Sequence, residues 1–186
     1  AELMTEVMAR GGTVHAFGSG HSHMFAEELF YRAGGFVRIE PILFEGLMLH
    51  ASAPLSTALE RVPGLAAAIL DDHPMRAGDV LLIASNSGSN AVVTEMAREA
   101  RARDVRTVAI TSLQHATSES ARQGKAPRLH ELVDVAIDNG GVVGDAAVEI
   151  EGLSTPVAPT STVVVAAIAN ATSSAKAIST RNGKIR

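Results

Sequence analysis

Apolar and polar positions fall in blocks along this chain, and the period changes from block to block. Residues 80–84 are a short unbroken apolar run, the pattern of a strand covered on both faces. Residues 13–17, 36–39 (ended by Glu40-Pro41), 106–111 and 133–138 read as four further strands. Between them the spacing turns helical. From Ala91 onward, Val92, Val93, Met96, Ala97 and Ala100 make one stripe, with Glu95, Arg98, Glu99 and Arg103 opposite. Residues 1–10 read as a helix ended by Gly11-Gly12, and 23–33 as one closed by Gly34-Gly35. A short helix is expected over 42–50, and a helix in two pieces over 55–70, divided at Pro63-Gly64. Residues 112–122 read as a polar loop or helix, and 129–132 lead into the last strand. Residues 140–152 look irregular, with Val148 and Ile150 alternating against Glu149 and Glu151 as a short exposed strand. The final helix is expected over 160–170, capped by Thr160 or Ser161. Beyond it the apolar period lapses. One domain over 1–170 and a frayed or extended tail over 171–186 are predicted.

Strands alternating with helices specify an α/β fold with a parallel sheet. Ligands of such folds bind beyond the carboxyl ends of the strands. Three polar segments follow strands directly and should converge on one edge: 18–22, 85–90 and Thr111-Ser112.

Composition narrows the partner. Aromatic residues make up only 3% of the chain, so base stacking on a nucleic acid has little to work with. The formal charge is −4 with both signs interspersed, which also argues against nucleic acid. With no cysteine, thiol catalysis and zinc–thiolate sites are out. No apolar run approaches the roughly 18 residues that a membrane span needs, and the first residues lack a signal-peptide pattern. A cytoplasmic location without membrane contact is the expectation.

The turn after 80–84 carries Ser85, Asn86, Ser87, Gly88, Ser89 and Asn90. A helix N-terminus presents free N–H groups and a partial positive charge. Hydroxyls around it make a cradle for an anion, most naturally a phosphate. There is no lysine in it, so it is not the nucleotide P-loop. An ordinary cap needs one such residue, and here nearly every position is one. The loop Gly18, Ser19, Gly20, His21, Ser22 opens like a dinucleotide fingerprint, and Glu40 ends the next strand. The third glycine position, however, is His23, where close helix packing demands a small residue. It reads instead as a second hydroxyl-rich wall for the sugar end of the ligand. His21 and His23 with Asp145 or His50 are a poor metal set, and neither a metal nor a cofactor is expected. Glu27 and Glu28 sit on the following helix; one looks back at the site, or they pair with Arg32. His50 ends the short helix 42–50, either bonding its free carbonyls or serving as an acid/base near neutral pH. Asp145 and Glu149 read as surface acids. Thr160 and Ser161 cap the last helix and can face the site.

Ala84-Ser85-Asn86-Ser87-Gly88-Ser89 and Gly18-Ser19-Gly20-His21-Ser22, each after a strand, resemble the sugar isomerase (SIS) domain family. Phe25-Ala26-Glu27-Glu28-Leu29 resembles the matching helix of phosphoheptose isomerases. The longer run 20–35 and Pro159-Thr160-Ser161-Thr162 resemble an uncharacterised bacterial group of SIS-domain proteins. The resemblance covers about 13–170. It implies a three-layer, flavodoxin-like fold with a five-stranded parallel sheet flanked by helices. It implies a homodimer or homotetramer and a sugar-phosphate ligand. Ser85, Ser87 and Ser89 would take the phosphate, Ser19 and Ser22 would flank the sugar, and Glu28 matches the acid used as base. Two departures accompany it. The spacing from loop to acid is shorter by about one helical turn. The histidine those isomerases use on their last helix has no counterpart within 160–170, which leaves His50 or His23 to replace it. The implied function is a phosphosugar isomerase or related lyase. The alternative is a non-catalytic sugar-phosphate sensor.

Overall fold

A computed structural model of the chain describes residues 1–118 and 126–180, with side chains through 173. The five strands are β1 (Val14–Gly18), β2 (Ile39–Ile42), β3 (Val80–Ala84), β4 (Arg106–Thr111) and β5 (Val135–Asp138). They form one parallel sheet in the order β2-β1-β3-β4-β5. The helices are α1 (Glu2–Ala9), α2 (Met24–Leu29), α3 (Leu49–Leu59), α4 (Leu65–Asp72), α5 (Ala91–Ala102), α6 (Leu113–Thr117), α7 (Leu129–Leu132) and α8 (Ser161–Thr180).

The period-2 alternation of the strands sorts the core into two layers. Phe17, Leu81, Ile83 and Ala109 face α4, α5 and α7, through Ile69, Leu70, Val92, Val93, Met96 and Leu129. Val14, Ala16, Val80, Leu82, Ala84, Val108 and Ile110 face α1, α2 and α8, through Met4, Val7, Phe25, Leu29, Val165 and Ala169. The run 80–84 is buried on both faces throughout, as its pattern predicts, and the layers are those the SIS resemblance implies.

At several elements the structure departs from the sequence pattern. The helix expected over 23–33 stops at Leu29; Phe30 is already extended, and Tyr31 takes φ 49° and is almost fully exposed. Beyond Leu29 the residues 30–35 are all exposed, so a further turn would gain no burial. Strand β2 begins at Ile39 instead of ending there, and it contains Pro41. Pro lacks an N–H to give a second neighbour, and β2 is an edge strand with no second neighbour to serve. Over 42–50 there is only a 3-10 turn, Glu45–Leu47, and His50 lies in the first turn of α3, not at a helix end. The division at Pro63-Gly64 holds: Gly64 takes φ 84° between α3 and α4. Val148 forms a single antiparallel bridge to Val157 rather than a strand. Helix α8 continues to Thr180, well into the expected tail. Of the polar stretch 112–122, α6 occupies the start, and 119–125 lie outside the described residues.

At the end of the sheet opposite the loops 18–22 and 85–90, Asp79 pins β1 to β3. Its carboxylate accepts the N–H groups of Thr13 and Arg76, both at 2.8 Å, and the His15 ring lies 3.3 Å away. Burial pushes the His15 imidazole below its usual range, against the opposing pull of Asp79. Burial also pulls the Asp79 carboxyl upward, but the hydrogen bonds from Thr13, Arg76 and His15 outweigh it and hold that carboxyl below the usual range.

Candidate functional site

The chain leaves β1 toward the β2 side of the sheet and β3 toward the β4 side, so the loops after β1 and β3 part at the topological switch point. The register Gly18 to Ala84 sets Ser19 and Ser85 side by side at that opening.

Local sterics decide the first loop. A 3-10 turn, Gly20–His23, folds back so tightly that a Cβ on Gly18 would run into the Ser22 carbonyl. Gly20 takes φ +58°. His23 is turned inward, its Nδ1–H donating to the Gly20 carbonyl at 2.5 Å, with the His50 ring edge-on at a centroid distance of 5.9 Å. His21 and Ser22 are left facing the cleft.

In the second loop the hydroxyls have divided roles. Ser85 Oγ accepts the N–H of Gly88 at 3.1 Å, closing the turn and keeping its own proton to give. Ser89 Oγ–H donates to Ser87 Oγ at 3.1 Å. Among the described residues, the N–H groups of Ser87, Ser89 and Asn90 have no acceptor. Gly88 takes φ +58° with Leu129 and Thr111 crowding it, so this corner tolerates no side chain. Asn86 is oriented by Asn139, whose Nδ2 donates to Asn86 Oδ1 at 3.1 Å, which leaves the Asn86 amide N–H groups for the cleft.

Thr111 and Ser112 were expected at the ligand, but both are fully buried. Thr111 Oγ1–H donates to the Asn86 carbonyl at 3.1 Å, and Ser112 Oγ–H to the Gly141 carbonyl at 2.5 Å while accepting the His115 N–H. The Thr111 hydroxyl is spent on holding the serine loop, and the Ser112 hydroxyl on capping α6 and tying it to Gly141. Thr160 is likewise absorbed: with Ser161 it binds the Asp145 carboxylate, through Thr160 N–H at 3.0 Å, Ser161 N–H at 2.9 Å and Ser161 Oγ–H at 2.5 Å. Asp145 is thus the anchor of α8 rather than a surface acid. Burial lifts its carboxyl, but the bonds from Ser161 and Thr160 prevail and hold it below the usual range.

The cleft itself lies between α2, α8 and the two loops, lined by His21, Ser22, Met24, Phe25, Glu28, Asn86, Ser161, Thr162, Val165 and Ala166. It encloses about 60 Å³, or about 430 Å³ with its open mouth, so a ligand is seated in it rather than swallowed. Glu28 Oε1 pairs with Arg32 one turn on and accepts Asn170 Nδ2–H from α8 at 2.5 Å. Among the described residues nothing bonds Oε2, which stays available to the cleft. His50 does not line this cleft; its ring is packed on His23 instead. Among the described residues no group of three or more His, Cys, Asp or Glu is placed to hold a metal ion.

Sequence reasoning missed Asn139, Asn170 and Glu60. None carries a local signature, since each meets its partner across a long stretch of chain. Asp145 was noticed, but its capping role has no spacing signal because the cap comes from a separate turn.

A parallel five-stranded sheet with helices on both faces and serine-rich loops at its switch point defines a doubly wound α/β class, and comparison with known proteins places the chain within it. The profile of the SIS domain family matches residues 1–112, and the chain belongs to that family. A UPF0309 protein of Geobacillus thermodenitrificans is 45% identical over 171 residues, covering 92% of this chain and 69% of the relative. A phosphoheptose isomerase from Francisella tularensis shares the fold at a TM-score of 0.58 with 13% identity, over 93% of this chain and 80% of that one. The phosphoheptose isomerase of Neisseria gonorrhoeae shares it at 0.53 with 20% identity, over 94% and 79%. Among the described residues, no helix is long and apolar enough to cross a membrane.

Proposed function

We propose that this chain binds a sugar phosphate and moves protons on it, as an aldose–ketose isomerase or a related lyase. The supporting observation is a single cleft that joins a carboxylate, Glu28, to the hydroxyl-rich loop of His21 and Ser22 and to Asn86 of the serine loop. The phosphate sits on the free N–H groups of Ser87, Ser89 and Asn90 with the Ser85 and Ser87 hydroxyls, at the start of α5. That remote grip positions the carbonyl end of the sugar. Glu28 Oε2 takes the C–H proton beside the carbonyl, giving an enediol, and returns it to the neighbouring carbon. His21, exposed in the same cleft, carries the hydroxyl proton to the former carbonyl oxygen. Arg32 and Asn170 hold the carboxylate in place. The sugar-phosphate assignment also draws on the structural neighbours named phosphoheptose isomerases.

A thermal-shift screen of pentose, hexose and heptose phosphates, with NMR of each hit for converted product, tests the proposal. Stabilisation and turnover are expected. Ser87→Ala should abolish the stabilisation, whereas Glu28→Gln should keep it and lose turnover. Stabilisation without turnover in the unaltered protein would make it a sugar-phosphate sensor. No stabilisation by any member of the panel would remove both readings.

A further inference from the structure

Ser19 and Glu60 make a pairing that the proton-transfer scheme does not use. The Ser19 hydroxyl donates to Glu60 Oε2 at 3.0 Å, and Ser19 is only 9% exposed. Glu60 lies just beyond α3, and its main-chain carbonyl accepts the N–H of Val92 in the first turn of α5, at 3.1 Å. One residue therefore touches both sides of the switch point: its side chain holds the first loop, and its backbone holds the helix leaving the second.

The direction of the side-chain bond has a chemical consequence. A carboxylate can only accept, so the Ser19 proton is committed to Glu60. Ser19 Oγ keeps lone pairs and has no proton to offer. Its neighbour Ser85 is the reverse, because it accepts from Gly88 and keeps its proton. The two serines directly follow the paired strand ends Gly18 and Ala84, on neighbouring strands about 4.8 Å apart. A phosphate needs donors, and it faces repulsion from the carboxylate behind Ser19; among the described residues no cation pairs with Glu60. A sugar hydroxyl brings its own donor and finds an acceptor.

We infer that Ser19 and Glu60 form a specificity dyad that reads a donor group on the sugar, Ser19 touching the hydroxyl and Glu60 setting the polarity of Ser19. The dyad orients the ligand, with phosphate on the second loop and polyol on the first. This rests on the sugar-phosphate reading above and names the residues that tell a sugar phosphate from phosphate alone.

The test measures binding of the pentose, hexose and heptose phosphate panel and of inorganic phosphate, by calorimetry on the full chain. Ser19→Ala and Glu60→Gln should each weaken the tightest panel member about tenfold, the size of one lost hydrogen bond to a charged or polarised group. Affinity for inorganic phosphate should stay within about twofold, and the double variant should be little worse than either single one, as for two residues acting as a unit. Ser19→Ala removes only a hydroxyl and leaves the Glu60 backbone bond to Val92, so it carries the test if Glu60→Gln folds poorly. Equal weakening of phosphate and sugar phosphates would reduce Glu60 to a spacer between loops and overturn the dyad. Unchanged binding in both variants would overturn it too, leaving the sugar-phosphate reading intact. If the unaltered chain binds no panel member, that reading falls and the dyad falls with it.

Discussion

At the scale of single residues, the site is built by glycines and by the direction of hydroxyl protons. Gly18 and Gly20 look equivalent in the sequence, yet the structure uses them differently. At Gly18 an added Cβ collides with the Ser22 backbone, whereas Gly20 is only left-handed, with open space around it. Gly18→Ala should therefore cost about 2–3 kcal/mol, by forcing the 3-10 turn off the strand. Gly20→Asn should cost less than about 1 kcal/mol, because Asn tolerates that backbone region. Urea denaturation of the two variants checks this, and equal losses would contradict the packing described for Gly18. The residue types of both loops were legible from composition alone. Which hydroxyls remain free was not: Thr111, Ser112 and Thr160 look as suitable as Ser87 until their partners are known.

Among the elements, α8 shows how one chain segment reaches the site from a distance. Its first turn is tied by Asp145 and contributes Ser161 and Thr162 to the cleft, while Asn170, on the same helix, reaches Glu28. Removing the anchor by Asp145→Ala should destabilise the fold by about 1–2 kcal/mol at neutral pH, as loss of a helix cap does. The Asp145 carboxyl is held below its usual range, so this contribution is present above the ordinary aspartate pKa near 3.9 and disappears as pH falls through the lowered value. Urea midpoints of parent and variant should differ at pH 7 and converge in strong acid. A gap that persists there would mean that the carboxylate charge is not what caps α8. The helix itself was expected, but not its length, because the lapse of apolar period after Asn170 does not by itself end a helix. Strand β2 was misplaced for a similar reason. Pro41 ends a central strand but not an edge one, and edge position is a property of the sheet.

The two ends of the sheet differ across the molecule as a whole. The loops of the cleft gather at the carboxyl edge of the sheet, while His15 and Asp79 clamp the opposite edge. The lowered His15 pKa sets the sign of a pH effect. As pH drops below about 6.5, the unfolded chain takes up a proton that the folded chain refuses. Stability should therefore decline from pH 7 toward the lowered folded value, and His15→Leu should flatten that decline. Chemical denaturation between pH 5 and pH 7 measures it, and identical slopes in parent and variant would show that His15 is not a source of the dependence.

The α/β class, the central strands and the two loops rich in Ser and Gly are legible in the chain's local pattern. Those features are written in local period and composition, which a buried strand or a tight turn cannot vary freely. Long-range contacts, by contrast, bring Glu28 into a cleft with His21 and pack His50 on His23. The same is true of the Asp145 cap and of the hydrogen bond from the Ser19 hydroxyl to Glu60. Each of these depends on a contact between residues far apart in the chain. Such a contact costs chain entropy to form and leaves no periodic trace in either partner's surroundings.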